Sequence, residues 1–127
     1  MRDPFDPADD ELREWAAADR DEPVEDFDLM LRDVERIPIL VELTASPKRL
    51  FAFGCLYLIV GDAVRSGFNT ANRPQLEQAI VEAAPAALQD SGIAVWLEQS
   101  RELLEHPEEF DYDQWCGGLL AAGAASS

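Results

Sequence analysis

The chain of 127 residues contains 26 acidic and 10 basic side chains, which gives a formal net charge of −16. A hydrophobic share of 47% excludes a globally disordered chain, and the length fits one domain that spans residues 1–127. The charge disfavours binding to nucleic acid or to an anionic membrane surface and favours a basic protein partner.

The acidic residues are concentrated at the two ends of the chain. Residues 1–36 hold 14 acids and 5 bases, and residues 101–127 hold 6 acids and 1 base, whereas residues 37–100 hold 6 acids and 4 bases. Two explanations stay open. The acidic surface either recognises a basic partner or only keeps the protein soluble, as in a salt-adapted organism.

The cysteines and the N-terminal residues indicate the compartment. Cys55 and Cys116 are far apart, and neither belongs to a C-x-x-C motif. We therefore expect free thiols in a reducing compartment. The first eleven residues, MRDPFDPADDE, are acidic where a signal peptide would be basic and then apolar, so we expect a cytoplasmic protein.

Two amphipathic segments open the chain. Asp6 and Pro7 predict the start of the first helix, with Asp6 as its cap and Trp15 as its one large apolar anchor. A second helix is predicted from after Pro23 to about Arg36, because apolar residues recur at three- and four-residue spacing. Its apolar stripe consists of Phe27, Met30, Leu31, Val34 and Ile37.

The most apolar part of the chain is LFAFGCLYLIVG at residues 50–61, which contains no charged residue. Ser46 and Pro47 predict a helix start, and Gly67 predicts its end, so we expect a buried central helix over about residues 47–66. The run is too short to span a membrane, which needs about 20 apolar residues. The preceding residues 38–44 are predicted to form a short helix, because a lone strand would have no partner.

Three further helices are predicted after a loop at residues 67–71. The first begins at Asn72 and ends or kinks at Pro85, and the second begins at Ser91 and ends before Pro107. A last helix begins at Asp111 and precedes a frayed tail at about residues 122–127. The predicted fold is an all-α, irregular bundle of six or seven helices around the central helix.

Arg101 and His106 form the one pattern with candidate nuclease chemistry. An arginine, four residues and a histidine resemble the R-x(4–6)-H signature of HEPN ribonucleases. The resemblance implies an all-helical fold, a dimer interface at the pair, His106 as general acid/base and Arg101 as the group that stabilises the phosphate. The chain departs from the family where Glu102 replaces a polar, often amide, residue. The other interpretation is a helix C-terminus at which Arg101 pairs with Glu105.

Metal, cofactor and nucleophile signatures are absent from the sequence. His106, Glu109, Asp111 and Asp113 cluster near the C-terminus, but they match neither an E-x-x-H di-iron motif nor an EF-hand loop. Cys116 has no neighbouring catalytic histidine pattern. We therefore predict no metal, no cofactor and no catalytic residue outside the Arg101 and His106 alternative.

Aromatic side chains among carboxylates suggest a surface that docks onto a basic protein. The alternative is that these aromatics face the core while the acids face water. On the first interpretation, the partner-binding residues are Phe5, Trp15, Asp19, Asp21, Glu22, Glu25, Phe110, Tyr112 and Trp115.

The sequence thus predicts a non-catalytic acidic helical protein that binds a basic partner, as an inhibitor, an immunity protein or an adaptor does. An RNA-cleaving domain that uses Arg101 and His106 is one alternative. A homo-oligomeric structural protein, which buries its surplus helix faces against itself, is another.

Overall fold

All regular structure is helical in the part of the chain that the computed structural model describes, which is residues 5–25, 27–31, 33–65, 72–106 and 108. This confirms the all-α class. The predicted helix from Asp111 and the tail at residues 122–127 lie outside the described residues, so the number of six or seven helices stays a prediction. The described helices are α1 (Asp9–Ala17), α2 (Phe27–Met30), α3 (Ile37–Leu43), α4 (Arg49–Arg65), α5 (Asn72–Ala87) and α6 (Ser91–Glu105), with a 3-10 turn at Val34–Arg36.

Helix α4 is enclosed on most of its circumference, as its composition requires. It packs against α2, α3, α5 and α6. It begins two residues later than predicted, because Ser46 caps a turn and not the helix itself: its Oγ accepts the Lys48 N–H at 3.1 Å and donates to the Leu43 carbonyl at 2.6 Å. Its fully or almost fully buried apolar residues are Ala52, Phe53, Cys55, Leu56, Tyr57, Ile59 and Val60.

Two side chains join α4 to α6 through polar contacts. The Tyr57 hydroxyl donates to the side-chain oxygen of Gln99. Burial raises the pKa of Tyr57 to about 12, so the hydroxyl keeps its proton at neutral pH. The Tyr57 ring lies in the core, and its hydroxyl therefore needs a partner of this kind.

A second link between the same helices is the ion pair of Arg49 and Asp90. The two Nη atoms of Arg49 donate to the two carboxylate oxygens of Asp90 at 2.7 and 2.8 Å, and both side chains are only 20% exposed. Asp90 also caps α6 by accepting the Gly92 and Ile93 backbone N–H groups. One carboxylate therefore begins α6 and fixes it to the start of α4.

Three aromatic rings join α1 and the α2 segment to α4. Trp15 packs edge-on against Phe27 and Phe51, each at 5.2 Å between ring centroids, and the two phenylalanines stack at 5.8 Å. Such pairs add about 1 kcal/mol each to what burial alone provides. The single large anchor predicted for the first helix is therefore part of the core.

The prediction of one continuous second helix from after Pro23 to about Arg36 is wrong. Regular α-helix covers only Phe27–Met30, and Asp33 has extended backbone dihedrals of φ −83° and ψ 140° before the 3-10 turn. The apolar spacing is still satisfied, because Phe27, Leu31 and Ile37 are all buried. Aspartate favours a helix cap over a helix interior. The break at Asp33 therefore ends the regular helix while the apolar residues on both sides of it stay buried.

The predicted cap of α1 is also wrong. The helix begins at Asp9, and the Glu11 carboxylate accepts the Ala8 N–H at 3.1 Å. Asp6 instead accepts a hydrogen bond from Arg36 at 2.9 Å. A charged partner from a distant part of the chain has displaced a local capping contact that the sequence favoured.

The short helix before α4 and the helix pair after it agree with the prediction. Helix α3 covers Ile37–Leu43, α6 covers Ser91–Glu105, and Pro85 lies in the last turn of α5, which ends two residues later at Ala87. No described helix is long and apolar enough to cross a membrane.

Replacing Asp90 should destabilise the fold through both of its roles. Asp90→Ala removes the α6 cap and leaves the largely buried Arg49 without its partner, so we expect a loss of about 3 kcal/mol in the free energy of unfolding. Asp90→Asn keeps a capping oxygen and should lose less. Urea denaturation measures both, with Glu98→Gln on the exposed face of α6 as a control that should change little.

The effect of Asp90→Asn should also depend on pH. Hydrogen bonds from Arg49 lower the pKa of Asp90 below its ordinary value of 3.8. A lowered carboxyl pKa stabilises the folded state above about pH 4, and this contribution is lost as the pH falls through the folded-state pKa. The stability difference between wild type and Asp90→Asn should therefore shrink below pH 3.8. A constant difference down to pH 2 would contradict this account.

Candidate partner-binding surface

Four carboxylates surround the end of α1 and the loop that follows it. We name Glu14, Asp21, Glu22 and Glu25 the N-terminal acidic surface; all four are exposed. None of them has an ion pair or a side-chain hydrogen bond with another described residue. Among the described residues, no ion pair therefore compensates their charge.

Arg13 and Arg36, two bases of the same half of the molecule, are occupied elsewhere. Arg13 binds Asp10 and Glu42 at 2.7 and 2.8 Å, and Arg36 binds Asp6 and the Pro7 carbonyl. The paired carboxylates raise the pKa of Arg13, Glu42 more than Asp10. These arginines hold the N-terminal segment to the body of the protein, so they do not neutralise the N-terminal acidic surface.

Asp19 differs from the other predicted acids because it has a partner. Its Oδ1 lies 3.1 Å from Nζ of Lys48, which also lies 5.0 Å above the Trp15 ring. Asp19 has a positive φ of 49°, and its N–H donates to the Ala16 carbonyl. This residue closes the C-terminus of α1 and fixes it to the segment before α4.

The two predicted aromatic residues of this region occupy opposite environments. Trp15 is 5% exposed, and its Nε1 donates to the Asp21 carbonyl at 2.9 Å, whereas Phe5 is 64% exposed. Trp15 thus faces the core, the alternative that the sequence left open, and it shapes the loop without being an exposed anchor. Phe5 retains the exposure that docking requires.

A shallow pocket lies between α1 and this loop. Its volume is about 310 Å³, and it is lined by Glu11, Glu14, Trp15, Arg20, Asp21 and Pro23. Arg20 is the one base on its wall, and it makes no ion pair with a described residue. The pocket is thus mainly acidic, with a single guanidinium at its edge.

The remaining predicted partner-binding residues cannot be placed on this surface. Phe110, Tyr112 and Trp115 lie outside the described residues. The Asp21 carbonyl contacts the buried Trp15, and Glu22 and Glu25 follow at exposed positions of the same loop. The second aromatic stretch stays a prediction.

Arg101 and His106 are both exposed at the C-terminal end of α6. They are five positions apart, which places them about 140° apart on a regular helix, and His106 already lies beyond the helical dihedrals at φ −129° and ψ 62°. Nδ1 of His106 lies 3.4 Å from Glu108. The ion pair expected between Arg101 and Glu105 is not formed among the described residues.

The described residues contain no group of three or more metal-binding side chains. Glu109, Asp111 and Asp113, with Cys116, lie outside them. Cys55 is buried in the middle of α4, where it packs as a small apolar residue of the core.

Three exposed large apolar residues belong to no predicted site. Leu50 is 62% exposed, Val81 60% and Leu88 89%. Val81 could have been found from the sequence, because it lies off the inward stripe of α5 that Leu76, Ile80 and Ala83 form. Leu88 follows the helix end, where periodicity no longer predicts which way a side chain points.

Comparison with protein-family models, curated proteins and solved structures gives no match for this chain. The functional argument therefore depends on the surface and on the arrangement of its charges.

Trp15→Ala should act on stability. Removing a buried indole from the aromatic cluster should lower the free energy of unfolding by about 3–5 kcal/mol. Leu88→Ala, at a largely exposed position, should stay within about 0.5 kcal/mol of wild type. Chemical denaturation followed by circular dichroism compares the two. Equal effects would contradict the core position of Trp15.

Proposed function

We propose that this chain is a non-catalytic acidic helical protein that binds a basic protein partner in the cytoplasm, as an inhibitor, an immunity protein or an adaptor does. The observation that carries the proposal is the unpaired state of the N-terminal acidic surface among the described residues. The proposed scaffold is an irregular bundle around α4 that holds this surface on one end of α1.

The physical support comes from the difference between paired and unpaired carboxylates. A carboxylate that already binds an arginine gains little from a second cation, whereas an unpaired one can gain a partner at close range. The N-terminal acidic surface places Asp21, Glu22 and Glu25 within five consecutive positions. The electrostatic potentials of neighbouring charges add within the Debye length, which is about 8 Å at physiological salt. Such a cluster accelerates the association of a positively charged protein.

Rigidity of the loop supports the same proposal. The Trp15 N–H holds the Asp21 carbonyl at 2.9 Å, and the Asp19 carboxylate holds Lys48 at 3.1 Å. The acidic loop is therefore fixed at its first residues. A fixed loop loses less conformational entropy on binding than a free one.

Neutralising these acids should weaken partner binding. We compare Asp21→Asn, Glu22→Gln and Glu25→Gln, combined in one variant, with the combination of Glu98→Gln, Glu102→Gln and Glu105→Gln on α6. The two variants change the net charge equally, and every substituted side chain is exposed. We expect roughly tenfold weaker binding and a weaker salt dependence in the first variant only.

The measurement is affinity capture from an extract of the native cells, washed at low and at high salt, with bound proteins identified by mass and then tested as purified pairs. A basic protein held at low salt by wild type and by the α6 variant, and lost by the loop variant, would support the proposal. Capture that is equal in all three proteins, or no capture at either salt concentration, would contradict it.

A further inference from the structure

A second surface of the molecule combines exposed apolar side chains with uncompensated negative charge. Val81, Pro85 and Leu88 are exposed on α5 and the turn after it, at spacings of four and three residues. Leu88 directly follows Ala87, the last residue of α5, and its N–H donates to the Pro85 carbonyl at 3.3 Å, so the chain stays tightly turned at this residue. Because positions three and four residues apart share one side of a helix, we assign the three exposed side chains to one stripe along the outer side of α5 and its terminal turn. We name them the α5 stripe.

Leu50, at the start of α4, is a further exposed apolar residue. Leu50 directly follows Arg49, and Leu88 lies two residues before Asp90. The bidentate ion pair between Arg49 and Asp90 therefore holds both exposed leucines at the same corner of the molecule. Scattered single apolar residues are ordinary on a protein surface, whereas several exposed apolar residues on one side of a helix are typical of an interaction site.

The segment that carries the α5 stripe has a negative net charge. Residues 74–100 contain four acids and no lysine or arginine. Glu77 and Glu82 lie on the exposed part of α5 on either side of Val81, and Glu82 accepts only the amide of Gln78 among the described residues. Glu77 is paired with Arg73, which also donates to the Leu104 carbonyl. The carboxylate next to Val81 thus lacks a cation.

We propose that the α5 stripe docks an amphipathic basic helix of the partner, whose apolar side covers Val81, Pro85 and Leu88 and whose flanking lysines or arginines approach Glu82. Charge complementarity selects this occupant. A second copy of the chain carries the same charge of −16 and would bring carboxylates from α5 against one another. An uncharged apolar partner would bury Glu82 without a counter-charge, which is costly.

This inference rests on the proposed function, because it takes the partner to be basic, and it adds where the partner binds and by what contact. Exposed apolar side chains that become buried at the centre of an interface contribute most of the short-range affinity. The N-terminal acidic surface acts at longer range and does not require the partner to be helical.

The test uses two synthetic peptides of leucine and lysine, each about five helical turns long. In one, the leucines recur at three- and four-residue spacing, and in the other the same residues are scrambled. Fluorescence anisotropy measures the affinity of each peptide for the whole chain. We expect wild type to bind the amphipathic peptide at least tenfold more tightly than the scrambled one.

The variant Val81→Ser with Leu88→Ser should remove this preference, so that both peptides bind equally. Gln75→Ser with Gln89→Ser is the matched control at exposed polar positions of the same helix and turn, and it should keep the preference. All four side chains are exposed, so the unfolding midpoints should stay at the wild-type value, which circular dichroism checks. Equal binding of the two peptides to wild type, or a preference that survives Val81→Ser with Leu88→Ser, would overturn the inference.

Two further outcomes separate the inference from the proposed function. The variant with Asp21→Asn, Glu22→Gln and Glu25→Gln should weaken both peptides alike and leave their ratio unchanged. A captured basic partner that binds the Val81 and Leu88 variant as tightly as wild type would overturn the inference and leave the proposed function standing. A wild-type dimer in sedimentation velocity that this variant converts to a monomer would show that a second copy covers the stripe, which would also overturn it.

Discussion

The Arg49–Asp90 ion pair is the contact on which the arrangement of the long helices depends. It joins residues 41 positions apart, and each partner also has a second role. Arg49 donates to the Thr44 carbonyl at 2.9 Å and lies 4.8 Å from the centre of the Phe53 ring, while Asp90 caps α6. The start of α4, the turn before it and the start of α6 therefore share one guanidinium and one carboxylate.

The use of basic residues in such internal contacts explains the charge of the surface. The chain has 10 bases and 26 acids, so most carboxylates remain without a basic partner even when the bases form internal ion pairs. Arg13, Arg36 and Lys48 hold the N-terminal segment, and Arg49 and Arg73 hold the helices of the second half. Fixing this fold and exposing acidic surfaces are thus two consequences of the same distribution of charge.

Periodicity predicted most of the helices, and local capping signals were less reliable. The apolar run of α4 and the stripes of α5 and α6 specify helices because burial of one or more faces dominates their energy. The break at Asp33 and the pairing of Asp6 with Arg36 were missed, because both depend on residues distant in sequence or on a backbone change that leaves the apolar spacing intact. One error thus comes from a contact between distant residues and the other from a local backbone change that the apolar spacing does not reveal.

The same limit applies to the candidate surface. The sequence identified the acids at 21, 22 and 25, because charge is visible without a fold. It could not decide whether Trp15 faces the core, because the hydrogen bond between its indole N–H and the Asp21 carbonyl in the following loop is visible only in the folded structure. It could place Val81 off the inward stripe of α5, but it could not show that Leu88, beyond the helix end, is exposed as well. Exposure depends on what the rest of the chain covers. The proposed long-range attraction by the acids and the proposed short-range apolar contact at α5 therefore make separate demands, which one basic amphipathic partner would have to satisfy together.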